Sequence, residues 1–162
     1  MTLVFLAAIP AAIWIFLLLG RGFFWLARER DDTLLSGGRQ NDASALPAVV
    51  AIVPARDEAD VIARSIGSLL RQDYPGRFSV VLVDDLSTDR TAELARAAAH
   101  AAGATDRLVV LRGSDPPAGW TGKLWAMNRG FLHVQAQGEP PAFVLFTDAD
   151  IAYAAPDAVE RL

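Results

Sequence analysis

Residues 143–150 read Phe-Val-Leu-Phe-Thr-Asp-Ala-Asp, an apolar run followed closely by two aspartates. A short continuous apolar run predicts a strand that is buried on both faces. Because alternate side chains of an extended chain share one side, Asp148 and Asp150 are expected to converge just past the end of this strand if both stay extended. Carboxylate oxygens suit Mg²⁺ or Mn²⁺, and this end of an open α/β sheet is where ligands bind. The stretch therefore predicts a metal site, although two solvated loop aspartates are the commoner meaning of an isolated Asp-x-Asp pair.

The composition of the chain limits the classes of function. The chain has 162 residues, of which 52% are hydrophobic, and this length fits about one domain. It contains no cysteine, so neither a disulfide framework nor a thiolate site is possible. The formal net charge of −4 argues against nucleic acid as a partner.

The N-terminal segment predicts a membrane anchor. No charged residue lies between Leu3 and Leu19, which is close to the minimum length of a bilayer span. Arginines follow this segment and no basic residue precedes it, so the positive-inside rule places the rest of the chain in the cytoplasm. We expect a single span within residues 1–29 in the cytoplasmic membrane and a polar juxtamembrane linker at residues 30–46. A signal peptide and a buried core helix are the alternatives.

From residue 47 onwards, strand-like and helix-like patterns alternate. Before the 143–150 stretch, strands are predicted at residues 48–53, 78–83 and 108–111, and helices after each of them. Pro54 is expected to end the first strand, and Pro156 to begin a last helix. Asp57, and Ser87 or Thr88, are candidate helix caps. The alternation predicts an α/β fold, a Rossmann-like, mostly parallel sheet with flanking helices.

Polar residues follow three of the predicted strands, at residues 54–58, at Asp84-Asp85 and at the Asp-x-Asp pair. In a parallel sheet these strand ends share one edge, so the side chains are expected to meet in one crevice. So many close carboxylates would raise one another's pKa unless a divalent metal or a donor-rich ligand were bound. A turn or capping role is the alternative for Asp84 and Asp85.

Lys123 follows Gly122 in an irregular loop before a predicted helix. A cation beside a helix N-terminus can meet a phosphate, whereas a solvated loop lysine is the alternative. The sequence contains neither a P-loop nor a G-x-G-x-x-G pattern, which argues against a dinucleotide cofactor.

Three stretches, taken in their order and spacing, carry a family resemblance. They are Val-Ala-Ile-Val-Pro-Ala-Arg-Asp-Glu at 50–58, Val-Leu-Val-Asp-Asp-Leu-Ser-Thr-Asp at 81–89 and Thr-Asp-Ala-Asp at 147–150. Together they resemble the family 2 glycosyltransferases, which have the nucleotide-diphospho-sugar transferase (GT-A) fold. Residues 119–126 and the apolar N-terminal segment look more narrowly like the hopene-associated glycosyltransferases of the HpnB type. The resemblance implies that residues 47–162 are the N-terminal, nucleotide-sugar-binding part of a GT-A domain.

The resemblance also implies roles for individual residues. The implied substrate-binding residues are Pro54, Ala55, Arg56, Glu58, Asp84, Asp85, Lys123 and Asp148, and the implied metal ligands are Asp148 and Asp150. Among these, Asp84 or Asp85 would contact the base or ribose, and Lys123 would lie near the diphosphate. The Arg56-Asp57 pair departs from the Tyr-Asn or Arg-Asn pair of many members, which leaves the nucleotide contact at this point open.

The activity that the resemblance implies is metal-dependent, inverting transfer of a sugar from a nucleotide-diphospho-sugar to a lipid acceptor of the hopanoid type. In this family the acceptor-activating base lies well beyond the Asp-x-Asp pair. No catalytic base is therefore assigned up to Leu162, and the chain is expected to be a donor-binding half with little activity of its own. The alternatives are a receiver-type phosphoacceptor domain, a sugar-phosphate nucleotidyltransferase and a pseudoenzyme that only binds.

Overall fold

The computed structural model describes residues 2–20 and 46–161. The chain forms two compact units, Met1–Gly38 and Arg39–Leu162, and helix α1 (Thr2–Gly20) lies in the first. Among the described residues, no helix has the length and apolar character needed to cross a membrane, so the predicted span is not supported. Residues 21–29 of the predicted anchor, and the predicted linker up to residue 45, lie outside the described residues.

The second unit alternates strands and helices, which confirms the predicted α/β class. Its elements are β1 (Val49–Ala55), α2 (Ile62–Leu70), β2 (Phe78–Asp84), α3 (Thr91–Ala101), β3 (Leu108–Arg112), α4 (Gly122–Gln135) and β4 (Phe143–Phe146). A short 3₁₀ helix, Thr105–Arg107, precedes β3. The predicted strands and helices up to β4 are all present, with ends shifted by a few residues.

The strands of this unit form one parallel sheet in the order β3-β2-β1-β4. The chain moves outward from β1 to β3 and then returns to place β4 on the other side of β1. The direction of winding therefore reverses between β1 and β4. A crevice at the carboxyl ends of two such strands is the usual ligand site of an open α/β sheet.

Helices pack against both faces of the sheet. Helices α2 and α3 cover one face, and α4 covers the other. Strand β1 serves both cores, because Ala51 and Val53 point to the first and Val50 and Ile52 to the second. Gly130 of α4 lies so close to β1 that a Cβ atom there would be 2.6 Å from Ile52 Cγ2. The glycine thus lets α4 pack tightly on the sheet.

Strand β4 differs from the predicted strand with two buried faces. It is an edge strand of the described sheet, and Phe143 and Phe146 are 62% and 44% exposed. The strand ends at Phe146, and Ala149 and Asp150 lie in a turn. The extended conformation on which the predicted convergence of the two aspartates depended is therefore not formed.

Pro54 lies inside β1 and not at its end, which corrects a second prediction. β1 pairs with β2 along its whole length, but its ladder with β4 stops at Ile52 and Phe146. The Ile52 carbonyl oxygen still accepts a hydrogen bond of 3.2 Å from the backbone N–H of Thr147. Alternate residues direct their backbone groups to the same neighbouring strand, so Pro54 is the next position that would donate to β4. Since proline has no N–H, the ladder ends there and the chain after Phe146 leaves the sheet.

Residues 156–161 form turns, so the helix predicted to begin at Pro156 is absent from the described residues. The backbone is held by the end of α2 instead. The Val159 N–H donates to Gln72 Oε1 over 3.0 Å, and the Asp73 N–H donates to the Pro156 carbonyl oxygen over 2.7 Å. Gln72 and Val159 are both buried, so this contact fixes the segment against the core.

Candidate functional site

A cavity of about 380 Å³ opens at the carboxyl ends of β1, β2 and β4. The residues that line it are Pro54, Ala55, Arg56, Glu58, Asp85, Gly122, Lys123, Asp148, Ala149 and Asp150. Every residue that the sequence singled out for the site belongs to this lining except Asp84. The fold therefore brings together residues from four segments of the chain, although their roles remain predictions.

Asp84 serves the turn after β2. Its carboxylate accepts a hydrogen bond from the Ser87 N–H over 3.1 Å. Its carbonyl oxygen accepts from the N–H groups of Leu86 at 2.8 Å and Gly113 at 2.7 Å. Leu86 has a φ of 59°, an uncommon value for a bulky residue, and these bonds hold it there. Asp84 thus fills the turn role that was the alternative for this pair.

Asp85 is the member of the pair that reaches the cavity, and it is only 6% exposed. Its N–H donates to the Ala55 carbonyl oxygen over 2.8 Å, and its Oδ2 lies 3.8 Å from Arg56 Nη1. Two glycines flank it. A Cβ on Gly113 would be 2.8 Å from Asp85 Cα, and one on Gly122 would be 2.9 Å from Asp85 Oδ2. Sequence reasoning missed this use of the glycines, whose only signal was their presence in an irregular stretch.

Hydrogen bonds between side chains and backbone join the loops after β1 and β2. The Asp57 N–H donates to Ser87 Oγ over 3.0 Å. Asp57 Oδ1 in turn accepts from the Thr88 N–H at 2.7 Å and the Thr88 hydroxyl at 3.1 Å. Asp57 has a φ of 54°, a left-handed conformation that Asp tolerates better than most residues. These residues were expected to cap two separate helices, but they hold the two loops to each other.

Glu58 is held at the cavity by Thr91 and Asp89. The Glu58 N–H donates to the fully buried Thr91 hydroxyl over 2.8 Å, and that hydroxyl donates to Asp89 Oδ1 over 2.5 Å. Asp89 also accepts from the N–H groups of Thr91 at 2.9 Å and Ala59 at 3.0 Å. These hydrogen bonds, above all the one from the Thr91 hydroxyl, stabilise the carboxylate and lower the pKa of Asp89. Asp89 and Thr91 are therefore supporting residues that sequence reasoning did not assign to the site.

Lys123 reaches the cavity from the first turn of α4. The helix begins after Thr121, whose side chain accepts from the Leu124 N–H over 3.4 Å. Lys123 Nζ lies 2.6 Å from Asp148 Oδ1, and both side chains are more than half exposed. Ion pairs this open to solvent contribute little stability and can exchange partners.

The loop before α4 is supported by two tryptophans. Trp120 and Trp125 pack edge to face with ring centroids 5.4 Å apart. Trp125 Nε1 and Arg129 Nη1 each donate to Ser114 Oγ over 3.1 Å. These contacts fix the loop against the helix that carries Lys123, and neither tryptophan belongs to the lining of the cavity.

The two aspartates after β4 fit a divalent cation by their chemistry. Asp148 already accepts a cation, the Lys123 ammonium, and Asp150 lines the same cavity. Within residues 2–20 and 46–161, no group of three or more His, Cys, Asp and Glu side chains is placed to hold a metal. Phosphate oxygens and water would therefore complete the coordination, as is common for Mg²⁺.

A parallel α/β sheet with a cavity at its switch point, lined by both acidic and basic side chains, is an arrangement in which many α/β domains bind ligands. The family model described as Glycosyl transferase family 2 matches residues 50–162. The chain belongs to this glycosyltransferase family, which confirms the family that the three stretches indicated. The match does not support the receiver-domain and nucleotidyltransferase alternatives.

Similar proteins agree with the family and the fold. The 4,4'-diaponeurosporenoate glycosyltransferase of Staphylococcus aureus strain USA300 is 35% identical over 115 residues, 71% of this chain and 27% of the relative. A mannosyltransferase from Pyrobaculum calidifontis, solved with GDP-Man and Mn²⁺, is 26% identical with a TM-score of 0.64 over 96% of this chain and 41% of that one. A mycobacterial protein of known structure is 27% identical, with a TM-score of 0.51 over 74% of this chain and 36% of that one. The chain thus spans about a quarter of the curated relative, and these similarities do not show the narrower hopene-associated type.

Proposed function

We propose that this chain binds a nucleotide-diphospho-sugar together with Mg²⁺ or Mn²⁺, as the donor site of an inverting glycosyltransferase. The observation that carries the proposal is the meeting of the Lys123 ammonium and the Asp148 carboxylate, 2.6 Å apart, in a cavity at the switch point of the sheet. The two groups match a diphosphate with its metal, because the ammonium can donate to phosphate oxygens and the carboxylate can bind the metal. The mannosyltransferase solved with GDP-Man and Mn²⁺ supports the same class of ligand.

Different residues of the cavity would contact different parts of the ligand. Asp148 and Asp150 would hold the metal, which when bound neutralises charge on the departing diphosphate. Lys123 would donate to a phosphate oxygen, which positions the leaving group. Asp85 and Glu58 offer carboxylates that can accept hydrogen bonds from ribose hydroxyls or from the base.

We also infer a lipid acceptor. The Staphylococcus aureus relative is named for 4,4'-diaponeurosporenoate, and the motif resemblance indicated a hopanoid. Acceptor activation needs a carboxylate base, and we assign none of the described carboxylates to that step. Location at the cytoplasmic membrane remains a prediction. Transfer assays with a hopanoid and with a carotenoid carboxylate would distinguish the two acceptor classes.

Calorimetric titration of UDP- and GDP-sugars, with and without Mn²⁺, tests the donor site. We expect at least one nucleotide sugar to bind, and its affinity to rise with Mn²⁺. The double variant Asp148→Asn with Asp150→Asn should lose the Mn²⁺ dependence. Asp106→Asn is the matched control, because Asp106 precedes β3 at the opposite edge of the sheet. Nucleotide binding that is absent, or that is indifferent to Mn²⁺, would refute the proposal.

A further inference from the structure

We propose that Lys123 is the counter-ion of Asp148 when no metal is bound. The Lys123 ammonium moves to the diphosphate when a divalent metal takes its place at Asp148. Metal and nucleotide would then bind cooperatively. Lys123 would weaken binding of the metal alone, and it would strengthen binding of the metal and nucleotide together. The inference rests on the proposed donor site and assigns a coupling role to one of its side chains.

The geometry of the pair is the first argument. Lys123 Nζ lies 2.6 Å from Asp148 Oδ1, which is a direct charge-assisted hydrogen bond. The lysine comes from the first turn of α4, and the aspartate comes from the segment after β4. The side chains are 58% and 54% exposed, so the flexible lysine stem can move without leaving a buried charge unpaired.

The charges of the lysine and the metal couple their binding at Asp148. An ammonium and a divalent cation on the same carboxylate repel each other, so the lysine opposes a metal that binds Asp148 and the metal favours departure of the lysine. The displaced ammonium remains at the cavity, where a diphosphate on the metal would offer it new anionic oxygens. Coupling of this kind is reciprocal, since a nucleotide that attracts Lys123 also frees Asp148 for the metal.

Arg56 supplies a charge-matched comparison within the same cavity. Its Nη1 lies 3.8 Å from Asp85 Oδ2, a longer contact with a different carboxylate. Loss of Arg56 changes the net charge of the site as loss of Lys123 does, but it leaves Asp148 paired. It therefore separates a specific exchange at Asp148 from a general electrostatic effect.

The test compares the full 162-residue chain with its variants Lys123→Gln, Lys123→Arg and Arg56→Gln. The paramagnetic resonance signal of free Mn²⁺ gives the Mn²⁺ affinity without nucleotide. Calorimetry at saturating Mn²⁺ gives the affinity for GDP or UDP, whichever the wild type binds. Lys123→Gln should bind Mn²⁺ alone about two- to fivefold more tightly, the range expected for losing an exposed ion pair. The same variant should bind the nucleotide at least about fivefold more weakly.

Lys123→Arg should keep both affinities close to those of the wild type. Arg56→Gln should tighten Mn²⁺ binding less than Lys123→Gln does, because it leaves the Asp148 pair in place. The coupling role is overturned if Lys123→Gln weakens the binding of both ligands or leaves the Mn²⁺ affinity unchanged. It is also overturned if Arg56→Gln tightens Mn²⁺ as much as Lys123→Gln does. A wild type that shows no Mn²⁺-dependent nucleotide binding overturns the donor site, and this inference with it.

Discussion

Gly113 lies directly against the backbone of Asp85. A Cβ atom at Gly113 would be 2.8 Å from Asp85 Cα, and the Gly113 N–H donates to the neighbouring carbonyl oxygen of Asp84 over 2.7 Å. The segment after β3 therefore packs against the backbone at the acidic end of β2. The position of Asp85 at the cavity depends on a residue that has no side chain.

Gly113→Ala should consequently displace Asp85. We expect the free energy of unfolding to fall by about 1–3 kcal/mol, the usual cost of overpacking, because backbone atoms must shift. We also expect weaker nucleotide binding by calorimetry at a temperature where the variant is folded. Gly138→Ala is the control, since a Cβ there meets nothing within 4 Å. Equal nucleotide affinity in Gly113→Ala and wild type would contradict the support role.

Pro54→Val should extend the ladder between β1 and β4. The new N–H can donate to β4, which is worth about 1 kcal/mol in favourable cases. The chain that carries Asp148 would be drawn toward the sheet, so Mn²⁺ affinity should fall while thermal stability is kept or raised. Pro75→Ala controls for the loss of proline rigidity, because Pro75 lies in the exposed turn before β2. An unchanged Mn²⁺ affinity would show that Pro54 does not set the path of that segment.

Thr91→Val should loosen Glu58 at the cavity. The substitution keeps the shape of the side chain but removes the acceptor of the Glu58 N–H and a donor to Asp89. Leaving a partly buried N–H without its partner costs about 1–3 kcal/mol of stability. Thr91→Ser keeps the hydroxyl and should retain nucleotide affinity, measured by calorimetry at saturating Mn²⁺. If the two variants bind nucleotide equally well, the hydroxyl does not position Glu58.

Asp89 makes the stability of the fold depend on pH. Its pKa is lowered from the ordinary 3.8 by the Thr91 hydroxyl and backbone N–H groups, so the carboxylate stabilises the fold above that value. This contribution should be lost as the pH falls below 3.8 through the lowered pKa of the folded protein. Urea unfolding of wild type and Asp89→Asn should therefore differ at pH 7 and converge at low pH. A difference that persists undiminished in acid would argue against this hydrogen-bonded carboxylate.

The sheet was predictable from sequence because the residue pattern that specifies each strand and helix lies within that segment. Strand β2 contains a continuous apolar run at residues 80–83, and α2 shows helical spacing from Ile62 to Leu70. The acids at the strand ends then follow from parallel pairing, which places Asp85 and Asp148 at one edge. Composition alone could not separate Asp84 from Asp85, because both are followed by the same turn.

The parts that sequence missed depend on partners far along the chain. Pro54 can lie in β1 because its missing N–H would face β4, whereas the pairing with β2 does not require it. The sequence alone does not show that β4 lies on that side. Asp57 bonds to Thr88 rather than capping its own helix. The segment at Val159 forms turns because the buried Gln72 side chain takes its N–H.

Gly130 has a consequence for the position of Lys123. Helix α4 meets β1 at Gly130 and Ile52, and its first turn carries Lys123. The packing of helix on sheet at this point therefore contributes to the position of Lys123. A volume change at Ile52, buried inside the domain, would therefore be expected to move Lys123 relative to Asp148. Comparisons of natural variants that consider only cavity residues would overlook this source of divergence.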